Sequence, residues 1–242
     1  MNAIEIKNLV KEYKDITAVD NISLSIKEGE LFSLLGVNGA GKTTTIKMLS
    51  TLIKPTSGDA IILGKSIVKD AKKIKEIINV SPQETAIAPN LTVKENLEFI
   101  ASIYNIPNKL IKNKVNEMIE LFNLKKIVNK RTKKLSGGWQ RRLSIACALI
   151  TEPKILFLDE PTLGLDVIAR RELWQIIENL KGKVTIILTT HYMEEAECLS
   201  DRVAVMKDGK IIDIDTPKSL VEKTKAKNFE DAFVTLVTGG VK

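Results

Sequence analysis

Gly36-Val-Asn-Gly-Ala-Gly-Lys-Thr43, set directly behind Leu31-Phe-Ser-Leu-Leu35, decides the fold. The leading residues are continuously apolar, as expected of a strand buried on both faces of a parallel sheet. The loop fits G-x-x-x-x-G-K-[ST] and runs into a helical stretch expected from about Thr43 to Ile53, closed by Lys54-Pro55 and a Ser57-Gly58 turn. Strand, glycine loop and helix in this order make a phosphate cradle. The glycines let backbone N–H groups curl around the phosphates, and the helix adds its N-terminal dipole. Lys42 can reach the outer phosphates and Thr43 can hold Mg²⁺.

Working outward, Ile155-Leu-Phe-Leu158 reads as a second buried strand, ending in Asp159-Glu160-Pro161-Thr162. Open α/β sheets bind ligands at the carboxyl ends of their strands. Asp159 is placed there to hold a metal, and Glu160, pointing differently, to polarise the attacking water. His191, the one histidine, follows the expected strand Val184 to Leu188 through Thr189-Thr190, at the same edge, where an imidazole can contact a γ-phosphate. Gln83 follows Asn79-Val-Ser-Pro82 and, at that junction, is a candidate sensor. Leu135-Ser-Gly-Gly-Trp-Gln-Arg-Arg142 places a second glycine pair, Gly137-Gly138, ahead of the acidic strand and implies a second phosphate contact.

The remaining sequence bounds the class. At 242 residues and 44% hydrophobic content, the chain can bury one large α/β core, alone or with a smaller lobe. No apolar stretch reaches the ~18–20 residues that span a bilayer; Leu143 to Leu158 is broken by Glu152-Pro153-Lys154. The N-terminus carries no export-signal pattern, and Cys147 and Cys198, in helical stretches without metal-ligand spacing, are expected to be buried small apolar residues of a protein in a reducing cytoplasm. The net charge is +7, and Thr85 to Lys134 holds ten Lys and Arg against four Glu, leaving +1 elsewhere. This concentration reads either as a solvated helical face or as attraction to anionic lipid headgroups or an acidic partner.

Alternation in Ala3 to Val10 and Ile22 to Ile26 predicts antiparallel strands at the start. Between Pro89 and Lys134 the period becomes helical: Thr92-Val-Lys-Glu95 is a capping box, and a second helix runs from about Asn108 to Phe122. Helices from Trp139, from Val167 and through Glu194 to Leu199 alternate with strands, which predicts a mainly parallel sheet. Val203 to Met206 and Lys210 to Asp213 form a hairpin through Asp208-Gly209, and Thr216-Pro217 caps a short helix.

Tyr13, the phosphate loop, Gln83, Leu135 to Arg142, Ile155 to Thr162, Leu163-Gly-Leu-Asp166 and His191 occur in the order of an ATP-binding cassette (ABC) ATPase, and the resemblance covers nearly the whole chain. It implies an α/β P-loop NTPase core with a mainly parallel sheet, an N-terminal antiparallel β layer and an inserted helical subdomain. The expected division is 1–84 and 135–215 for the core, 85–134 for the helical subdomain and 216–242 for a short helical tail. By the resemblance, ATP is held by Tyr13 on the adenine and by Gly36, Asn38, Gly39, Ala40 and Gly41 with Lys42, Thr43 and Thr44 on the phosphates. Thr43, Asp159 and Gln83 serve Mg²⁺, with Glu160, His191 and Gln83 in catalysis. Ser136, Gly137 and Gly138 close over ATP held by a second cassette, identical or a close paralogue, and Asp166 lies at the dimer seam.

Trp139 stands where glutamine is usual, and Leu163 where serine is frequent. Indole donates but does not accept, so it cannot make a contact that needs an acceptor there, and the Trp139 side chain is expected to be more dispensable than Ser136 and the glycine backbone. Thr189 to Glu197 and the tail Phe229 to Gly239 look like export cassettes of the multidrug and sodium-efflux type, and no long C-terminal regulatory domain like that of many sugar importers is expected. The expectation is therefore a cytoplasmic ATPase subunit of a transporter, peripheral on the inner face of the cell membrane and driving export through separate integral membrane permease subunits docked on the helical lobe, with no nucleic acid partner. The alternatives are an ABC ATPase acting on ribosomes or DNA and a regulatory module without turnover. The single cassette and the lack of sustained heptads weigh against the first; the presence of Lys42, Asp159, Glu160 and His191 weighs against the second.

Overall fold

The strands that lead to Gly36, Glu160 and His191 belong to one sheet, and its parallel register carries those strand ends to a common edge. The computed structural model describes residues 1–239, so the last three residues of the expected 216–242 tail lie outside the described residues. A long hairpin comes first: β1 (Asn2–Tyr13) and β2 (Ile16–Lys27) pair antiparallel, with several register shifts along β1. β3 (Leu31–Gly36), buried throughout, leads through the phosphate loop into α1 (Lys42–Leu49). β4 (Ser57–Ile62) and β5 (Lys65–Ser66) complete an antiparallel sheet in the order β2-β1-β4-β5.

The chain continues through α2 (Ala71–Lys75) and β6 (Ile78–Ser81) to α3 (Val93–Ile103) and α4 (Asn108–Leu121). Next come α5 (Gly137–Leu149), β7 (Ile155–Asp159), α6 (Val167–Glu178), β8 (Thr185–Thr190) and α7 (Met193–Leu199). The hairpin β9 (Arg202–Lys207) and β10 (Lys210–Asp215) follows, then α8 (Pro217–Thr224) and α9 (Phe229–Thr238). The second sheet has the order β10-β9-β3-β8-β7-β6; β9 to β6 run parallel and only β10 runs against them. This matches the expected α/β layering.

Phe32, Leu34, Phe157 and Ile187 leave one face of the parallel sheet and pack on Ile4, Leu9, Ile22 and Ile46. Leu156, Leu158, Ile186 and Leu188 leave the other and pack against α5, α6 and the inserted helices through Leu143, Leu173, Leu97 and Phe122. Burial on both faces is why β7 and β8 read as unbroken apolar runs. Each such side chain contributes about 1.5–3 kcal/mol relative to exposure.

The inserted helices begin with the expected capping box: Glu95 N donates to Thr92 Oγ1 at 3.2 Å, and Thr92 N to Glu95 Oε2 at 2.7 Å. The two ends of the insertion are joined, since Thr92 and Arg131 form an antiparallel bridge and Val93 N donates to Lys130 O at 3.2 Å. Among the described residues, no helix is long and apolar enough to cross a membrane.

Three local expectations are corrected. The helix after the phosphate loop stops at Leu49 rather than Ile53. Thr51 takes φ +60, with Leu52 N donating to Lys47 O at 2.9 Å and Thr51 N to Met48 O at 3.0 Å, a Schellman closure built on threonine instead of glycine. Ser57-Gly58 is not a turn but the start of β4. At Gly58, φ is +77 and an added Cβ would lie 2.0 Å from Asn8 O, so the glycine admits close approach of β1. Cys147 is buried, and burial pushes its thiol up to about 12; Cys198, on the outer side of α7, is exposed.

Candidate active site

The phosphate loop is held open by a backbone that only glycine accepts easily. Gly41, the residue before α1, has φ 102, and an added Cβ would meet Ala18 O at 2.5 Å. No side chain caps α1 and no acidic residue stands in its first turn, so its N-terminal N–H groups remain available to an anion. Lys42 is buried; its Nζ donates to Gly36 O at 2.7 Å and Val37 O at 3.2 Å, and lies 3.4 Å from Glu160 Oε1.

Sheet register explains how distant residues meet there. β3 and β8 pair Leu35 with Thr190, and β7 and β8 pair Asp159 with Thr189, so Gly36, Glu160 and His191 all leave the same edge. Asp159 Oδ1 accepts from Thr189 Oγ1 at 2.6 Å and from Thr43 Oγ1 at 3.0 Å. Glu160 Oε2 lies 2.6 Å from His191 Nδ1. The Glu160 backbone is left-handed at φ +50, a conformation that costs about 1–3 kcal/mol for a non-glycine residue. Its N–H is held by Thr189 O at 3.1 Å and Thr189 Oγ1 at 3.0 Å. This twist separates the two acids: Asp159 faces Thr43, and Glu160 faces Lys42 and His191.

These groups border a cleft of about 570 Å³. Tyr13 enters it from the tip of the β1–β2 hairpin, with Lys11 Nζ 5.0 Å from its ring centroid. Asn38, Gly39, Ala40, Gly41, Thr43 and Thr44 line the loop side, and Gln83, Glu160 and His191 the opposite side. Gly36 and Asp159 sit behind this lining. Leu163, on the loop after Glu160, also borders the cleft. The donors available to a metal are hard oxygens, the Thr43 hydroxyl, the Asp159 carboxylate and the Gln83 amide, a set that fits Mg²⁺.

Ser136, Gly138 and Asp166 do not border this cleft. They share a separate groove of about 270 Å³ with Trp139, Arg142, Ile168, Ala169 and Glu172. Ser136 precedes α5 without a side-chain cap bond, so the N-terminus of α5 is open like that of α1. A Cβ added at Gly137 would meet nothing within 4 Å, whereas one at Gly138 would lie 3.1 Å from Ala169 Cβ.

Arg141 was passed over by sequence reasoning, although it lies within Leu135 to Arg142. Its guanidinium is buried and donates to Pro82 O at 2.6 Å, Gln83 O at 2.5 Å and Glu160 O at 3.4 Å. Burial lowers its pKa, against the opposing attraction of Asp159 and Glu195. A single side chain on α5 thus braces both the Gln83 loop and the Glu160 backbone. The sequence signal was an arginine entering a helix that is otherwise buried, which demands internal acceptors.

Trp139 has a place within the chain: it packs on the core, the Arg142 guanidinium lies 4.7 Å from its ring centroid, and Arg142 pairs with Glu172 of α6. Gln140 Nε2 donates to Thr132 O at 3.1 Å and Leu135 O at 3.2 Å, holding the turn before Ser136. Trp139→Gln is expected to cost about 1–3 kcal/mol through the lost stack and apolar contact. Urea unfolding measures it; an unchanged midpoint would show that the indole braces nothing.

The chain is similar to known proteins in both sequence and fold. The family model for ABC transporters matches residues 19–163. A protein named probable multidrug ABC transporter ATP-binding protein YbhF, from Escherichia coli K12, is 40% identical over 242 aligned residues, covering 97% of this chain and 41% of that protein. The human phospholipid-transporting ATPase ABCA3 is 43% identical over 212 residues, covering 86% of this chain and 12% of that protein. The chain therefore spans less than half the length of these curated relatives. Among solved structures, an ATP binding subunit of an ABC transporter aligns with TM-score 0.85 at 25% identity, over 97% of this chain and 99% of that one. The dimeric post-hydrolysis cassette MJ0796, bound to ADP and Pi, aligns with TM-score 0.79 at 29% identity, over 88% and 98%. With the family model spanning more than half of its residues and the cassette architecture reproduced around the cleft, this chain belongs to the ABC transporter family.

Proposed function

We propose that this chain is an ATP-hydrolysing subunit that closes head to tail with a second cassette around two MgATP and drives export through separate membrane subunits. The observation that carries this reading is the division of the phosphate-binding features between two surfaces. One surface holds the phosphate loop, Glu160 and His191; the other presents Ser136 and the open N-terminus of α5. Among the described residues, nothing lies within 4 Å of a Cβ added at Gly137, which leaves room there for a group from a partner. Val167 and Ile168 stand exposed at 62% and 73% beside Asp166, an apolar seam suited to a partner.

In this reading, Tyr13 stacks on adenine, and the loop from Gly36 to Thr44 with the N-terminus of α1 holds the phosphates. Lys42 exchanges its loop carbonyls for phosphate oxygens. Thr43, Asp159 and Gln83 hold Mg²⁺, which when bound neutralises charge on the phosphate oxygens. Water attacks the γ-phosphorus, Glu160 accepts its proton, and the bridging oxygen leaves with ADP. His191 orients the Glu160 carboxylate through Nδ1, leaving its other ring nitrogen to serve the γ-phosphate. Gln83 reports the occupancy of the site to the helical segment, which Arg141 holds in register.

Residues 85–134 form the docking subdomain, between the core segments 1–84 and 135–215, with 216–242 as the tail. A groove of about 270 Å³ lies where this subdomain meets the core, bordered by Leu52, Pro82, Ala86, Ile100 and Tyr104. Leu52 and Tyr104 are exposed there, a surface suited to an apolar segment of a membrane subunit. The basic excess of 85–134 favours the inner face of the cell membrane, acting over about 8 Å at physiological salt. The multidrug name of the bacterial relative supports the export direction.

Sedimentation of the Glu160→Gln chain with and without MgATP tests the closure. ATP is expected to double the mass, and Gly137→Val in the same background to prevent doubling with an unchanged unfolding midpoint. A strictly monomeric chain that hydrolyses ATP at full rate would refute it. Co-purification of an integral membrane protein, reduced by Leu52→Glu, tests the docking groove.

A further inference from the structure

The contact between α6 and α7 encloses a carboxyl group that none of the steps above uses. Glu195, on α7, is fully buried, and its Oε1 accepts from Trp174 Nε1 of α6 at 3.0 Å. Among the described residues its Oε2 has no hydrogen-bond partner, and neither has Thr162 Oγ1, which is also fully buried. The hydroxyls of Thr190 and Thr162 stand beside the carboxyl and favour its charged form. Burial raises its pKa; those hydroxyls and the Trp174 indole oppose the rise, and the charge of Glu160 adds to it. A second contact lies alongside, with the Arg170 guanidinium of α6 4.5 Å from the centroid of the Tyr192 ring.

The positions of these partners along the chain give the cluster its meaning. Thr162 opens the loop that runs from Glu160 to Asp166, the N-cap of α6, whose Oδ1 accepts from Ala169 N at 2.9 Å. Thr190 immediately precedes His191, and its hydroxyl accepts from Tyr192 N at 3.0 Å. Glu195 therefore touches or adjoins the loop after the base, the turn that carries the histidine, and the helix that starts at Asp166. Two neighbouring buried polar atoms without partners are costly, and one bond between Glu195 Oε2 and Thr162 Oγ1 would satisfy both.

We propose that Glu195 is a positioning residue for hydrolysis: through Thr162, Thr190 and Trp174 it sets the loop ending at Asp166 and the His191 turn relative to each other. A shift of that loop on closure of the seam is then carried to His191 and, through its 2.6 Å contact, to Glu160. This rests on the reading of Glu160 and His191 as the groups that act on ATP.

Steady-state kcat and KM for ATP, the unfolding midpoint, and ATP-driven dimerisation in the Glu160→Gln background test the role. Glu195→Gln keeps one acceptor for Trp174 and one donor for Thr162, and is expected to stay within about twofold of the parent. Glu195→Ala and Thr162→Val are expected to lower kcat at least ~10-fold with KM within about threefold. Glu160→Gln combined with Thr162→Val should dimerise at an ATP concentration within about threefold of that for Glu160→Gln alone, since the role is in alignment and not in nucleotide binding. Thr162→Val keeps the shape of the side chain and decides the matter where Glu195→Ala fails to fold. Parental kcat in Thr162→Val, or a loss in Glu195→Gln as deep as in Glu195→Ala, would overturn the role. Glu160→Gln separates the two levels: full hydrolysis in that variant sinks the reading of the site itself. Loss in Glu160→Gln beside parental kcat in Thr162→Val sinks only the role of Glu195.

Discussion

Glu160→Gln is expected to lower steady-state ATP hydrolysis at least ~10²-fold while leaving ATP binding intact, because an amide keeps the shape of the carboxylate but cannot take up the proton of the attacking water. The geometry makes the substitution selective. Glu160 sits 3.4 Å from Lys42 and 2.6 Å from His191, but supplies no part of the phosphate loop. Removing its charge frees Lys42 from a buried anion, so affinity for ATP should hold or rise. The left-handed backbone at position 160 is unchanged by the substitution, and its N–H bonds to Thr189 persist. Steady-state phosphate release together with an ATP titration on the same sample checks both halves. Undiminished hydrolysis would remove Glu160 from the role of base.

Ser136→Arg is expected to abolish hydrolysis to a similar extent by a different route. Ser136 is exposed and borders the groove away from the nucleotide cleft, so a long cation there leaves ATP binding to the single chain untouched. It obstructs only a second cassette whose nucleotide must approach the N-terminus of α5. A mixture gives the sharper measurement. A dimer of one Glu160→Gln chain and one Ser136→Arg chain contains one site with both defects and one with neither. Mixing the two inactive proteins should therefore restore about a quarter of the parental rate if the sites act independently. No recovery in verified mixed dimers, or full activity of Ser136→Arg alone, would contradict a site completed in trans.

The two experiments bear on different kinds of information. Lys42, Thr43, Asp159 and Glu160 were legible because each is tied to a local pattern: a glycine loop between an apolar strand and a helix, or an acid pair ending an apolar run. Local order also foretold the hairpin at Asp208-Gly209 and the capping box at Thr92. It failed where close approach sets the conformation. Gly58 resembles a turn until β1 is seen against it, and Thr51 closes α1 without the glycine that usually signals a stop. Arg141 was missed for the same reason, since its acceptors lie 58 and 59 residues away.

The sequence alone determined the layered α/β order and the chemical identity of the groups at the strand ends, because buried parallel strands and phosphate loops impose short-range patterns on residue type. Only the tertiary structure decided which groups touch. The pairing of Asp159 with Thr189, and of Leu35 with Thr190, brings the cleft together. Packing of α6 on α7 buries Glu195 between them, and Ser136 borders a groove separate from the cleft. Such contacts join residues far apart in the chain, and their geometry follows from sheet register and helix packing rather than from any local run of residues.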